Sequence, residues 1–200
     1  MRVLALAETL LVTFLWSTSH VFIKIGLREI DPLVFAAYRY VIASVILVLF
    51  TIYLYGIRVS LDLRRILMFF TLGFTDYFMA QGLQFLGLYY LPAITVTSIL
   101  NLTPVFILVL SIVFLKEIPS LIQLVGVVIT LCGVLVFFAN STLVFSRFIG
   151  IVVTFISGIG WATYMVISRY YLRDNKENVI TLTTYSMALG YLYFFSEQQL

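Results

Sequence analysis

Long apolar runs, parted by short polar or proline-containing breaks, fill this chain. A helix crosses the hydrocarbon core of a bilayer in about 20 mostly apolar residues. On that criterion the runs predict seven spans, near 7–26, 33–55, 66–88, 93–115, 121–140, 148–171 and 178–196. The breaks have physical causes. Asp31-Pro32 ends the first pairing, Gly56 to Arg65 is a charged loop, and Tyr90-Leu91-Pro92 is a tight turn. Lys116 to Ser120, Asn140-Ser141-Thr142 and Arg173 to Asn178 complete the set.

Composition closes the alternatives. Of 200 residues, 62% are hydrophobic and 10% charged, against about 45–50% and 25% in a soluble domain. A folded chain of this size exposes too much surface to hide that excess from water. The fold class is therefore an all-α polytopic membrane protein, with the lipid bilayer as its solvent. The first run is longer than a signal-peptide core and no small-residue cleavage site follows it, so it reads as a retained helix. The lone Cys132 forms no internal disulfide and reads as a small buried packing residue. One histidine and no Cys/His cluster argue against zinc, and no cofactor is implied. The net charge of +3 is not a nucleic-acid footprint, because no polar stretch combines a basic patch with aromatics.

Charge sets direction instead. The side on which the chain begins carries Arg2, Arg58, Arg64, Arg65, Lys116, Arg169, Arg173 and Lys176. The other side carries Lys24, Arg28 and Arg147, with Arg39 just inside the second span. Cytoplasmic loops are enriched in Lys and Arg. The split predicts a cytoplasmic N terminus in a multi-pass protein of the cell membrane, plasma or inner.

An internal repeat adds architecture. With Trp16 set on Trp161, Thr18 falls on Thr163, Val21 on Val166, Leu27 on Leu172 and Arg28 on Arg173. Lys24 falls on Arg169 and Glu29 on Asp174, which keeps the charge. Five spans separate the copies. Five is odd, so the second enters the membrane from the opposite side, the inverted-topology plan of many secondary transporters. Residues 1–145 read as one five-helix unit and 146–200 as the first two helices of the second. A complete protein of this plan has about 290 residues and ten helices, so the chain reads as a fragment or a shortened form.

These segments resemble the EamA-type branch of the drug/metabolite transporter superfamily. The resemblance is carried by WSTSHVFIKIGL (16–27), DPLVFAAYRY (31–40) and LQFLGLYYLPAITVTSILNLTPVFILVLSIVFLKE (83–117), with GVVITLCGVLVFF (126–138) as the Gly-rich fifth helix. It implies a ten-helix carrier of two inverted halves, both termini cytoplasmic, that moves small organic solutes, often outward. In the small multidrug-resistance relatives, an acidic residue stands eight positions before a lysine in this part of the first helix. Here Trp16 takes the acid's place before Lys24, so that carboxylate-centred proton exchange does not carry over.

Polar groups inside a bilayer are costly and face a cavity or a partner helix. Trp16 and Trp161 lie at mid-depth, although tryptophan favours the interfaces. As repeat mates they are candidate walls of a central cavity, or broad packing faces. Thr13, Ser17, His20 and Lys24 share a helix face; Lys24 is near enough to the end to snorkel. His20, Arg39, Gln81 and Asn101 all fall roughly 9–12 Å from the far end of their spans, at 1.5 Å per residue. They form a candidate polar layer. For Gln81 and Asn101 the alternative is local hydrogen bonding between helices, about 0.6 kcal/mol each. For Arg39 it is an ion pair with Glu29 or Asp31.

Asp76 sits near the centre of its span, on a stripe with Gly73, Ala80, Gln84 and Gly87, while Phe70, Phe74, Phe78 and Phe85 largely face elsewhere. Ionised at that depth it costs about 2.5–3.5 kcal/mol. It therefore faces water and solute, pairs with a cation, or keeps its proton; we expect it to line the cavity and to couple proton movement. Pro104 predicts a kink that frees a carbonyl one turn earlier. Gly126, Gly133, Gly158 and Ala162 predict close helix contacts.

The functional expectation is a secondary transporter of small organic metabolites or drugs working by alternating access. The alternative is a truncated, non-transporting protein, or a half that needs a homodimer mate or a missing C-terminal half. No Ser/His/Asp set, metal spacing or phosphate loop points to an enzyme.

Overall fold

A computed structural model describes residues 2–56, 62–139, 148–173 and 178–190. The helices are α1 (Arg2–Gly26), α2 (Pro32–Tyr55), α3 (Leu63–Tyr90), α4 (Ala93–Leu115), α5 (Leu121–Ala139), α6 (Phe148–Arg173) and α7 (Val179–Gly190). Six are long and apolar enough to cross a membrane, and α7 is a shorter apolar helix over its described residues. The all-helical expectation of about seven helices therefore stands. Residues 57–61, 140–147, 174–177 and 191–196, with Arg58, the Asn140-Ser141-Thr142 break, Arg147 and Lys176, lie outside the described residues. The face where α1 begins is called the near face below, and the opposite one the far face.

The ends of the helices follow local chemistry. Asp31 caps α2 by accepting from Leu33 N at 2.9 Å and Val34 N at 3.3 Å, with Pro32 in the first turn where no N–H is needed. Ser120 and Gln123 open α5 as a capping box, Ser120 N donating to Gln123 Oε1 (2.8 Å) and Gln123 N to Ser120 Oγ (3.3 Å). Lys116, at φ 54°, closes α4 in the left-handed region and turns Glu117 back toward Ser111 O. Lys24 does not snorkel. Its ammonium donates to the carbonyls of Leu88, Tyr89 (3.5 Å) and Leu91 (2.9 Å) and so caps the C-terminal end of α3, where a cation also complements the helix dipole.

Two helices depart from regular geometry. The middle of α3, Phe74–Gly82, is π-helical, and so is the last turn of α4, Ser111–Leu115. α4 also breaks at Asn101-Leu102 and resumes at Thr103, with Pro104 in the first turn of the new segment. Proline cannot donate to the carbonyl one turn back, which places the break there.

The seam between α3 and α6 holds the bundle together. Lipid gives no hydrophobic drive for helix association, so close packing and hydrogen bonds must supply it. Accordingly the buried residues of α6 are small: Gly150, Thr154, Ser157, Gly158, Gly160, Ala162, Val166 and Ser168. Ser157 donates to Ala80 O across the seam, and Gly87 lies against Thr154. At the near end Gly73 meets Gly190 and Ser186 of α7, while Thr51 of α2 and Thr184 of α7 share a 2.7 Å hydrogen bond.

The outer faces differ from expectation. Gly126 and Gly133 have no atom within contact range of a would-be Cβ, and Cys132 is exposed. α5 buries none of its residues, so among the described residues these three positions make no packing contacts of the kind expected. Gly158 and Ala162 are buried, with Gly158 against the Phe106 ring.

A Cβ at Gly160 would lie 2.8 Å from Ala80 N and 3.0 Å from Thr75 O, both backbone atoms that cannot turn aside. Gly160→Val should destabilise the protein by about 1–3 kcal/mol, read as a lowered melting temperature in detergent, whereas Gly126→Ala should leave it unchanged.

Candidate functional site

A cavity of about 410 Å³ lies in the far half of the bundle among α1, α3, α4 and α6, with α2 contributing Arg39. Six of the residues singled out above meet there: Trp16, His20, Arg39, Gln81, Asn101 and Trp161. The Trp16 and Trp161 ring centroids are 5.9 Å apart with planes inclined by 60°. The rings touch each other and present a corner to the cavity.

A chain of hydrogen bonds ties three helices behind that corner. Trp161 Nε1–H, which can only donate, points to Gln84 Oε1 at 3.4 Å. That fixes the amide, so Gln84 Nε2 is the donor to His20 Nε2 at 2.8 Å. His20 Nδ1–H then donates to Trp16 O at 2.8 Å.

A second chain runs beneath the far rim. Tyr40 OH donates to Gln81 Oε1, and Gln81 Nε2 donates to Asp76 Oδ1 at 3.2 Å. The π-helical geometry makes the latter bond: residues five apart stack in a π turn, whereas they diverge in an α-helix. Asp76 is buried at 4% exposure and stands behind Gln81, set back from the cavity wall it was expected to line. Its stripe faces α6 and α7, and all five members are buried.

Arg39 pairs with neither Glu29 nor Asp31. Asp31 is spent on the α2 cap, and the guanidinium lies over the rings of Tyr40 (5.6 Å) and Phe85 (5.8 Å). Phe85 does not face away: it is 1% exposed, lines the cavity, and packs edge-on against Phe35. The cavity also draws in Ser19, Thr97, Thr103, Ile107 and Met165. Of these, Met165 was within reach of sequence reasoning, as the repeat mate of His20. Asn101 stands at the break before Pro104, whose own ring lies outside the cavity.

A model of the EamA-like transporter family matches residues 3–139. The chain belongs to this family. Two proteins of Archaeoglobus fulgidus, each named an uncharacterized transporter, are 31% identical over 194 residues and 30% over 182 residues. The matches cover 95% and 90% of this chain and 64% and 62% of those relatives. The uncharacterized transporter YyaM of Bacillus subtilis is 25% identical over 159 residues, 78% of this chain and 52% of that protein. The chain thus spans between half and two thirds of the length of these relatives. No solved structure matches it. Family and helices together make it a multi-pass membrane protein of a transporter family.

In this EamA-family chain a second cavity, about 730 Å³, lies on the near side of the first. Ile107 and Met165 line both. Below them Ser111 and Ser168 are buried, and among the described residues the Ser111 hydroxyl meets no hydrogen-bond partner. At the near mouth Glu117 pairs with Arg169 at 3.2 Å and Arg173 at 3.9 Å.

Gln84→Leu would strand both the Trp161 N–H and His20 Nε2. An unsatisfied buried group costs about 1–3 kcal/mol, so the variant should melt lower. Its emission should also change, because the chain's two tryptophans are Trp16 and Trp161; unaltered emission would refute the link.

Proposed function

We propose that the chain forms the core of a secondary transporter for small organic metabolites or drugs, working by alternating access. The observation that carries this reading is the mid-bundle cavity framed by Trp16 and Trp161, with His20 and its repeat mate Met165 on the same wall. Binding at the midplane between inverted halves is how such carriers work. On this reading residues 1–145 are the first repeat and 146–200 the start of the second. The distribution of basic residues supports a cytoplasmic near face in the plasma or inner membrane.

Two barriers would then separate the solute from the near face. Ile107 and Met165 form the apolar one between the cavities, and the Glu117–Arg169–Arg173 cluster the electrostatic one at the mouth. Asp76 is our candidate for proton coupling. Through Gln81 it is one hydrogen bond from the wall, and Tyr40, Tyr77 and Tyr164 are its electrostatic neighbours.

A second reading rests on length. The chain spans at most 64% of those relatives, and on this reading it acts only with a homodimer mate or further helices. Reconstitution separates the two. Saturable uptake of any small organic solute by proteoliposomes holding this chain supports the first, and its absence across a broad panel supports the second.

Two variants probe the mechanism. Glu117→Gln should raise labelling of Ser168→Cys, in a Cys132→Ser background, by a water-soluble thiol reagent several-fold; equal labelling would count against a closed near mouth. Asp76→Asn should flatten the pH dependence of uptake, and an unchanged pH profile would sink the coupling idea.

A further inference from the structure

The wall of the far cavity carries one ionised group, and the N–H donors around it are not all spent. Arg39 is the only Asp, Glu, Lys or Arg among the lining residues. His20 has both ring nitrogens in hydrogen bonds, and Asp76 is behind the wall. Among the described residues the guanidinium meets aromatic faces and no carboxylate. Ring faces attract a cation but leave its N–H fork unused.

Three acceptors beside the guanidinium are engaged. Gln81 Oε1 receives the Tyr40 hydroxyl, Gln84 Oε1 receives Trp161 N–H, and His20 Nε2 receives Gln84. The Arg39 fork and one amide N–H each on Gln81 and Gln84 are left over, beside the side-chain amide of Asn101 and the hydroxyls of Ser19 and Thr103, which donate as well as accept. An arginine inside a bilayer is expensive unless something of opposite charge meets it. Here the described wall supplies the cation and the donors, and the counter-charge is missing.

Resting on the reading of this cavity as the solute site, we propose that it selects small organic anions. A carboxylate or similar planar oxyanion takes the Arg39 fork in a bidentate bond, and a flat apolar body lies against the corner made by Trp16 and Trp161. Organic cations are disfavoured, because no carboxylate faces the cavity.

The two tryptophans make the test direct, since both line the site. The chain in phosphatidylcholine nanodiscs is titrated with benzoate, benzyl alcohol and benzylammonium while tryptophan emission is followed. Benzoate is expected to give a saturable change with a midpoint at least tenfold below those of the other two. Arg39→Gln, checked for fold by circular dichroism and gel filtration, should raise the benzoate midpoint at least tenfold. Arg39→Lys, which keeps the charge and loses the fork, should fall between. Equal midpoints for the three probes, or a benzoate midpoint unmoved in Arg39→Gln, would overturn the anion proposal and leave the cavity reading standing. If no probe perturbs the emission, the cavity reading falls and the proposal with it. A repeat in nanodiscs containing phosphatidylglycerol should leave the benzoate midpoint unchanged; displacement by that lipid would overturn a small solute in favour of a lipid headgroup.

Discussion

The distance at which α6 approaches α3 determines the rest of the site. Helices in lipid gain nothing by hiding apolar surface from one another, so they associate where backbones come close. Gly87, Ala80 and Gly160 permit that approach, and Ser157 and Thr154 fill the seam with groups that bond to backbone oxygens. With the seam closed, Trp161 is brought onto Trp16 and within reach of Gln84. A bulkier residue at any of the three small positions would move α6 outward and open both contacts together.

The second organising constraint is hydrogen-bond satisfaction where water is scarce. Each glutamine of α3 accepts from a ring of a neighbouring helix: Gln81 from the Tyr40 hydroxyl, Gln84 from the Trp161 indole. Their amide nitrogens then reach the groups that most need a donor, the Asp76 carboxyl and the His20 ring. A π-helical segment lets one helix serve both. It widens the turn so that Gln81 stands over Asp76, and the return to α-helix at Leu83 aims Gln84 at α1 and α6. π segments often mark functional sites, and here the reason is geometric.

Much of the fold could be read from the sequence because the bilayer writes it in large letters. Apolar runs of spanning length, and breaks such as Asp31-Pro32 and Tyr90-Leu91-Pro92, are forced by burying backbone in lipid. The convergence of Trp16 with Trp161 was legible through their matching spacing to a basic residue. Three things were not. The setback of Asp76 depends on a π turn, which a stripe counted at the α-helical period cannot foresee. Phe85 looked like its lipid-facing neighbours, since composition does not tell an aromatic under a cation from one under an acyl chain. Gly126, Gly133 and Cys132 looked like packing residues, yet among the described residues nothing lies within contact of a Cβ at either glycine and Cys132 is exposed.

The repeated phrase, a tryptophan followed eight positions later by a basic residue, does one structural job twice. Lys24 reaches the open carbonyls at the end of α3, on the far face. Arg169 reaches Glu117, just past the end of α4, on the near face. In both cases the tryptophan meets its repeat mate while the basic side chain, about 12 Å along the helix axis, fastens the terminus of a neighbouring helix. The fastenings differ in strength. Lys24 is half-buried and bonded to three carbonyls at once, whereas Arg169 is exposed and its ion pair is open to water and salt. If one face of the bundle is to open while the other stays shut, the weaker clasp belongs to the near face.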